Sequence, residues 1–284
     1  FFFFSRLITG CAEGMIGASP MSWSIMTFGE KHTAKIISYN GVACYGALAL
    51  GASLGVVIIK YFSFYGLGFL IVILGLMGYF IAETKDNRTV KKSINDEQKS
   101  FWNVLGKVAP FGFCLALGGL GFAAISTFIT LYYDFQHWQN GALCLSVFGI
   151  LFVVPRLVFS NTIAKFGGIN VAIASLTVEA VGLTVICLAT HPYFALLGAG
   201  ITGLGFSLVF PALGVMAMRT VSSSNKGSAL AGYGLFIDIS LGITGPLIGG
   251  VADYFGLAYI FPFSIGVVLI GLGLAYYLKS SEAK

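Results

Sequence analysis

The sequence predicts an all-α integral membrane protein, and three observations carry that prediction. Of its 284 residues, 57% are hydrophobic and 10% charged, with a mean hydropathy of +0.90, which leaves no polar shell for a water-soluble domain. The apolar runs are long and continuous, as membrane-crossing helices require, unlike the short alternating segments of a β-barrel. The 38 glycines and 26 phenylalanines suit helices that pack closely in lipid.

About 20 apolar residues cross a bilayer. On that rule nine spans are expected, at roughly 3–28, 38–59, 64–82, 107–133, 141–159, 168–190, 192–218, 227–252 and 256–278. The connections are short except for the polar stretch ETKDNRTVKKSINDEQKSFWN, so the chain divides into 1–82, a linker at 83–104, and 105–284.

If the spans alternate in direction, fourteen basic residues fall on one side, among them Lys35, Lys107, Arg156, Lys165, Arg219 and Lys226. The other side receives Lys60, with Arg6 near the start of the first span. This positive-inside bias predicts that the linker and the C-terminus are cytoplasmic. The net charge of +5 is spread over several loops, so it reads as a topology signal and not as a nucleic-acid patch. The lipid bilayer is the expected surrounding.

Several classes of chemistry lack their residues. Cys11, Cys44, Cys114, Cys144 and Cys187 are odd in number, without CxxC spacing, and lie in apolar segments, as small packing residues do. His32, His137 and His191 are far apart, and no HExxH, GxSxG or Walker pattern occurs, which argues against metalloenzyme, acyl-transfer and ATP-driven chemistry. No enzyme activity, cofactor or metal is expected, and an ion gradient is the expected energy source. The opening FFFFSRLITG has neither an initiator Met nor a basic signal-peptide region, so the chain reads as truncated.

There is an internal echo. Residues 51–80 resemble 245–277: a glycine-rich helix end, a Tyr-Phe turn (Tyr61-Phe62, Tyr254-Phe255), then an apolar helix ending in aromatics. Gly14 with Pro20 and Gly205 with Pro211 share one separation. Three spans before the linker thus match the last three after it, as a parallel duplication of a six-helix unit would leave.

The candidate site residues follow from charges inside spans. Gly234, Asp238, Gly242, Gly245 and Gly249 form one helical stripe, so Asp238 is expected to face protein or a water-filled cavity, beside glycines that permit close helix approach. An ionised carboxylate at the bilayer centre costs about 2.5–3.5 kcal/mol on insertion scales, so a proton site is expected, with a packing hydrogen bond as the alternative. Glu13 and Arg6 share one side of the first span with Gly10 and Gly17, about 10 Å apart along the axis and too far to pair directly. Glu179 lies mid-span with Ala172, Ser175 and Gly182 on its stripe. Pro246 removes a backbone hydrogen bond and kinks its helix, which makes it a gating candidate. Ser126, Thr127 and Thr130 offer hydroxyls for a substrate path or for packing, and Tyr132 and Tyr133 form an interfacial aromatic end.

These motifs resemble the major facilitator superfamily, the chain matching helices 4 to 12 of a twelve-helix fold. Arg6, Gly10 and Gly14 resemble the RxxxGxxxG pattern of helix 4. Gly242, Gly245-Pro246 and Gly249-Gly250 resemble the antiporter motif, here clearest in helix 11, whereas helix 5 has Gly51 and Gly55 without the proline. Residues 160–168 are similar to the GxxxD(R/K)xG loop: Lys165 and Gly167 match, but Ser160 and Ala164 replace Gly and Asp, so a weak or absent charge relay is implied. The run SYNGVACYGALALGASLG looks like bacterial carriers labelled sugar or multidrug efflux proteins.

The resemblance implies two helical bundles, the first incomplete, in a bacterial inner (plasma) membrane protein, usually monomeric. It implies secondary transport of a small-molecule substrate by alternating access, with protons as the coupling ion through Asp238, Glu13 and Arg6, and export by antiport favoured. The helix carrying Glu179 is peripheral in the family, so a structural or lipid-facing position is expected there. Proton-coupled uptake by symport, and a non-transporting truncated remnant, are the alternatives.

Overall fold

A computed structural model describes residues 2–29, 32–83, 100–159 and 161–282. Most of the expected linker, and Lys31 and Ser160, lie outside the described residues. The elements are α1 (Phe2–Phe28), α2 (Thr33–Glu83), α3 (Phe101–Phe135), α4 (Ala142–Val158), α5 (Thr162–Phe166), α6 (Gly168–Cys187), α7 (Pro192–Ser207), α8 (Val209–Arg219), α9 (Lys226–Phe255) and α10 (Ile260–Glu282). Every expected span falls on helix, the form that satisfies its own backbone in hydrocarbon. Among the described residues six segments are long and apolar enough to cross a membrane, and Leu143–Val158 is a shorter apolar helix.

The second and third spans are the two parts of α2, which meet at a kink at Ser63 (φ 61°, ψ −176°), and only the seventh differs from the sequence reading. In the echoed turn, the residue after Tyr254-Phe255 is Gly256, with φ 98° and ψ 160°. Both fall in a region that only glycine occupies without strain, so the two echoed turns share their backbone as well as their letters. The seventh span is broken at Leu208 into α7 and α8, because the ring nitrogen of Pro211 cannot donate to the carbonyl four residues back, that of Ser207.

The core is a bundle of α3, α4 and α6–α10. Helix α6 packs on α7 and α10, α4 on α7, and α3 on α9 and α10. Helix association in lipid gains little from hydrophobicity, so close approach at small residues does the work. A Cβ at Gly182 would run into the backbone of Thr202, and one at Gly198 would lie 2.7 Å from the Gly182 carbonyl oxygen. The ring of Phe122 stacks on those of Phe148 and Phe206 at 5.1 and 5.6 Å, tying α3 to α4 and α7.

Helix α1 rests against α9, and the first part of α2 against α4 and α8. None of the apolar window in Tyr61–Ile81 is buried.

Tyr132 and Tyr133, at the aromatic end of the span, are buried against protein. His137 and Asn140 take positive φ in the turn after α3, which folds Trp138 back over both rings at 6.2 and 5.3 Å. Tyr133 then donates to the Pro192 carbonyl (2.8 Å).

Candidate functional site: a cavity between the bundles

A cavity of about 690 Å³ lies between α1 and α9, lined from one side by Gly10, Glu13, Gly17 and Met21, and from the other by residues including Gly234, Asp238 and Leu241, with Phe210 of α8. The size lies in the range of small-molecule sites. Periodicity explains the lining: Gly10, Glu13 and Gly17 recur at three and four residues, as do Gly234, Asp238 and Leu241, so each helix turns one face inward. Glu13 and Asp238 thus enter one space from opposite elements, close enough for their charges to interact. They are the only charged residues in the described lining.

The remaining sequence candidates are scattered. Arg6 stands on α1, its side chain outside the described part. Nothing described lies within 4 Å of a Cβ built at Gly51, Gly55, Gly234, Gly242 or Gly245, and Gly249 approaches only Phe128, at 3.9 Å. The Asp238 stripe therefore faces open space, and close packing is carried by other glycines. Pro246 sits inside an unbroken α9, and the carbonyl it frees is that of exposed Gly242. Lys165 is exposed with its Nζ 5.2 Å from the centroid of the Phe166 ring, and Gly167 turns the loop into α6 with φ 82°. Glu179 neither faces lipid nor lines the cavity. It is 0% exposed, because its Ala172, Ser175 and Gly182 stripe is the face of α6 that packs inward. Among the described residues no group of His, Cys, Asp and Glu could hold a metal ion.

At the end where α1 finishes and α9 begins, the cavity is shut. Met21, Ile25, Ile37, Leu230 and Tyr233 are all buried there, and Tyr233 donates to the Phe210 carbonyl (2.9 Å). Beneath them lies Arg156 of α4, 1% exposed and previously counted only as a topology charge. Its Nε donates to the Ser207 carbonyl (2.9 Å), the acceptor that Pro211 leaves without a helical donor. Ser207 Oγ in return donates to the Phe152 carbonyl, and the Phe152 ring lies 4.4 Å from the guanidinium carbon. Nη1 extends across the interface to the Ile37 and Ser38 carbonyls of α2, at 3.5 Å each. A five-donor planar cation can hold both sides at once. The sequence signal was present: an arginine directly after Pro155 in an apolar run, with Pro211 breaking the neighbouring helix.

Known proteins agree with this architecture. A family model described as Major Facilitator Superfamily matches residues 1–170 and again 142–284. The chain is 45% identical over 280 residues to an uncharacterised MFS-type transporter of Burkholderia mallei (strain SAVP1), covering 99% of this chain and 68% of that protein. It is 48% identical over 273 residues to one of Pseudomonas aeruginosa (strain UCBPP-PA14), covering 96% and 67%. Among solved structures, the human organic anion transporter MFSD10 (TETRAN) superposes with a TM-score of 0.78 at 15% identity, over 96% of this chain and 70% of that one. The transporter FucP, in the outward conformation, superposes with 0.62 at 13% identity, over 86% and 68%. The all-helical architecture, a cavity between two sets of helices and these relatives lead to one conclusion: the chain is a multi-pass membrane protein belonging to the Major Facilitator Superfamily, whose members are secondary transporters of small solutes and not enzymes.

Proposed function

We propose that this chain exports a small organic solute by alternating access, in exchange for protons bound at the cavity carboxyls. The observation that carries the reading is the meeting of Glu13 and Asp238 in one cavity. Two carboxylates sharing one cavity repel, and a proton on either removes the repulsion. Proton binding and solute binding then compete for the same charge, which is the logic of antiport. An acidic lining suits a neutral or cationic solute.

The closed end is the one rich in Lys and Arg, which the positive-inside rule makes cytoplasmic, so the described conformation is closed inward. The linker and C-terminus are then cytoplasmic, in an inner membrane, and the carrier acts as a monomer. Arg6 supports the proton cycle from the same helix as Glu13, and the carbonyl freed by Pro246 lets α9 bend as the bundles rock.

The test is transport in proteoliposomes under an imposed pH gradient. Asp238→Asn is expected to abolish the dependence on the gradient while leaving folding intact; an unchanged dependence would sink the assignment. Uptake by symport is the second reading, and solute accumulation along the inward proton gradient would select it.

A further inference from the structure

The most unusual buried group lies outside the cavity. Glu179 of α6 is 0% exposed, and neither carboxyl oxygen has a hydrogen-bond partner. It is aimed into a notch in α3. A Cβ at Gly121 would lie 2.5 Å from Oε1, so glycine there leaves room for the acid, and one at Gly118 would lie in ordinary contact with Oε2, at 3.4 Å. Around the notch stand Leu176 and Leu183 of α6, Val209 of α8 and Val268 of α10. Among the described residues the titratable group that bears on it is Cys114 of α3, whose thiol donates to the Gly271 carbonyl of α10 (3.3 Å) and is engaged there.

An ionised carboxylate cannot be held in such a place, because no donor or cation replaces its water. A leucine or methionine would fill the volume at no electrostatic cost. An acid kept where an apolar residue would stabilise more marks a group whose proton matters. Helix α3 also joins this notch to the cavity. Its opposite face carries Gly112 and Gly119, where Cβ atoms would run into Phe236 and Ile237 of α9, and the Ser240 hydroxyl donates to the Ala116 carbonyl (2.7 Å). Phe236, Ile237 and Ser240 flank Asp238. The segment 112–121 therefore has a carboxyl-bearing helix seated in its glycines on each side.

We propose that Glu179 is a second proton-binding site, loaded in this conformation, whose proton affinity is linked to the charge at Asp238 through the glycine-rich stretch of α3. The proton enters from solvent when α3 and α6 part and is held as a neutral carboxylic acid when they close. A displacement of α3 is felt at both carboxyls because side chains fill its glycine notches without slack. The proposal rests on the proton-coupled reading of the cavity, extending it to a site the solute does not touch.

Infrared spectroscopy of the purified protein in lipid, titrated with acid and base, tests it. A neutral-carboxyl stretch is expected to persist at neutral pH, to move on labelling with carbon-13 carboxyl glutamate, and to vanish in Glu179→Gln. If that variant does not fold, retention of the labelled band in Glu13→Gln assigns it in its place. In Asp238→Asn the same band is expected to titrate with a proton affinity changed about fivefold or more. The proposal is overturned if labelling moves no neutral-carboxyl band at neutral pH, or if the band titrates identically in Asp238→Asn, which would leave Glu179 a structural acid. The cavity reading fails separately, when no titrating band is lost in Asp238→Asn.

Discussion

The Arg156 guanidinium occupies the space that a side chain at Gly41 would fill. One residue belongs to α4 and the other to α2, so at the closed end these two helices meet with no Cβ between the Gly41 backbone and the cation. Gly41→Ala is expected to drive α2 and α4 apart, at a cost of about 1–3 kcal/mol to the closed state. Spin labels at exposed Tyr39 and Val158 report it: a distance distribution shifted to longer values is the expected outcome, and an unchanged one would mean that the arginine yields instead.

Arg156→Lys keeps the charge and loses the geometry. A single ammonium on a flexible stem cannot serve the Ser207 carbonyl and the two α2 carbonyls together. Loss of one set of charge-assisted hydrogen bonds weakens closure by about 1.5–3 kcal/mol. The same pair of labels should show a population opened at that end, with the overall melting temperature less affected than by Arg156→Leu, which strands the Ser207 carbonyl.

Ser63 and Gly256 occupy corresponding turns with similar backbone angles, yet only one is the residue suited to them. Ser63→Gly is expected to stabilise the protein by up to about 1–3 kcal/mol, the strain of a non-glycine residue in that region. Gly256→Ser is expected to destabilise it comparably. Thermal unfolding in detergent of the two variants, read together, checks both signs.

Gly182→Val is expected to separate α6 from α7, since the new side chain meets the Thr202 backbone, which cannot turn aside as a side chain can. The cost lies at the upper end of about 1–3 kcal/mol. A lowered melting temperature checks it, with Gly234→Val as the control, because nothing described lies within 4 Å of that site.

Much of the fold was legible because lipid leaves a helix few choices. Length and apolarity place the spans, and the Tyr-Phe echo placed the break at Ser63 within a few residues. The break at Leu208 was hidden, since Pro211 lies in a run that is apolar throughout and hydropathy is blind to a missing N–H. At the site, Asp238 and Glu13 stood out because a charge in an apolar run is visible by itself. What brings them into one cavity is tertiary and leaves no mark on either helix alone. Glu179 was judged by the place of its helix in the family, although its Ala172, Ser175 and Gly182 neighbours already described a buried face. Arg156 was read as a charge at a span's edge, and nothing local distinguishes an arginine reaching for water from one reaching for another helix.

The mooring of Arg156 is unequal. Its Nε and the Phe152 contact belong to the helices of its own bundle, whereas Nη1 reaches across to α2. When α2 withdraws, the cation stays behind. The group at the closed end would then stand on the passage wall as a fixed positive charge. A cationic solute would meet the same repulsion entering and leaving past it, whereas an anionic one would be drawn in. The arginine would thus act on the charge of what passes as well as on closure.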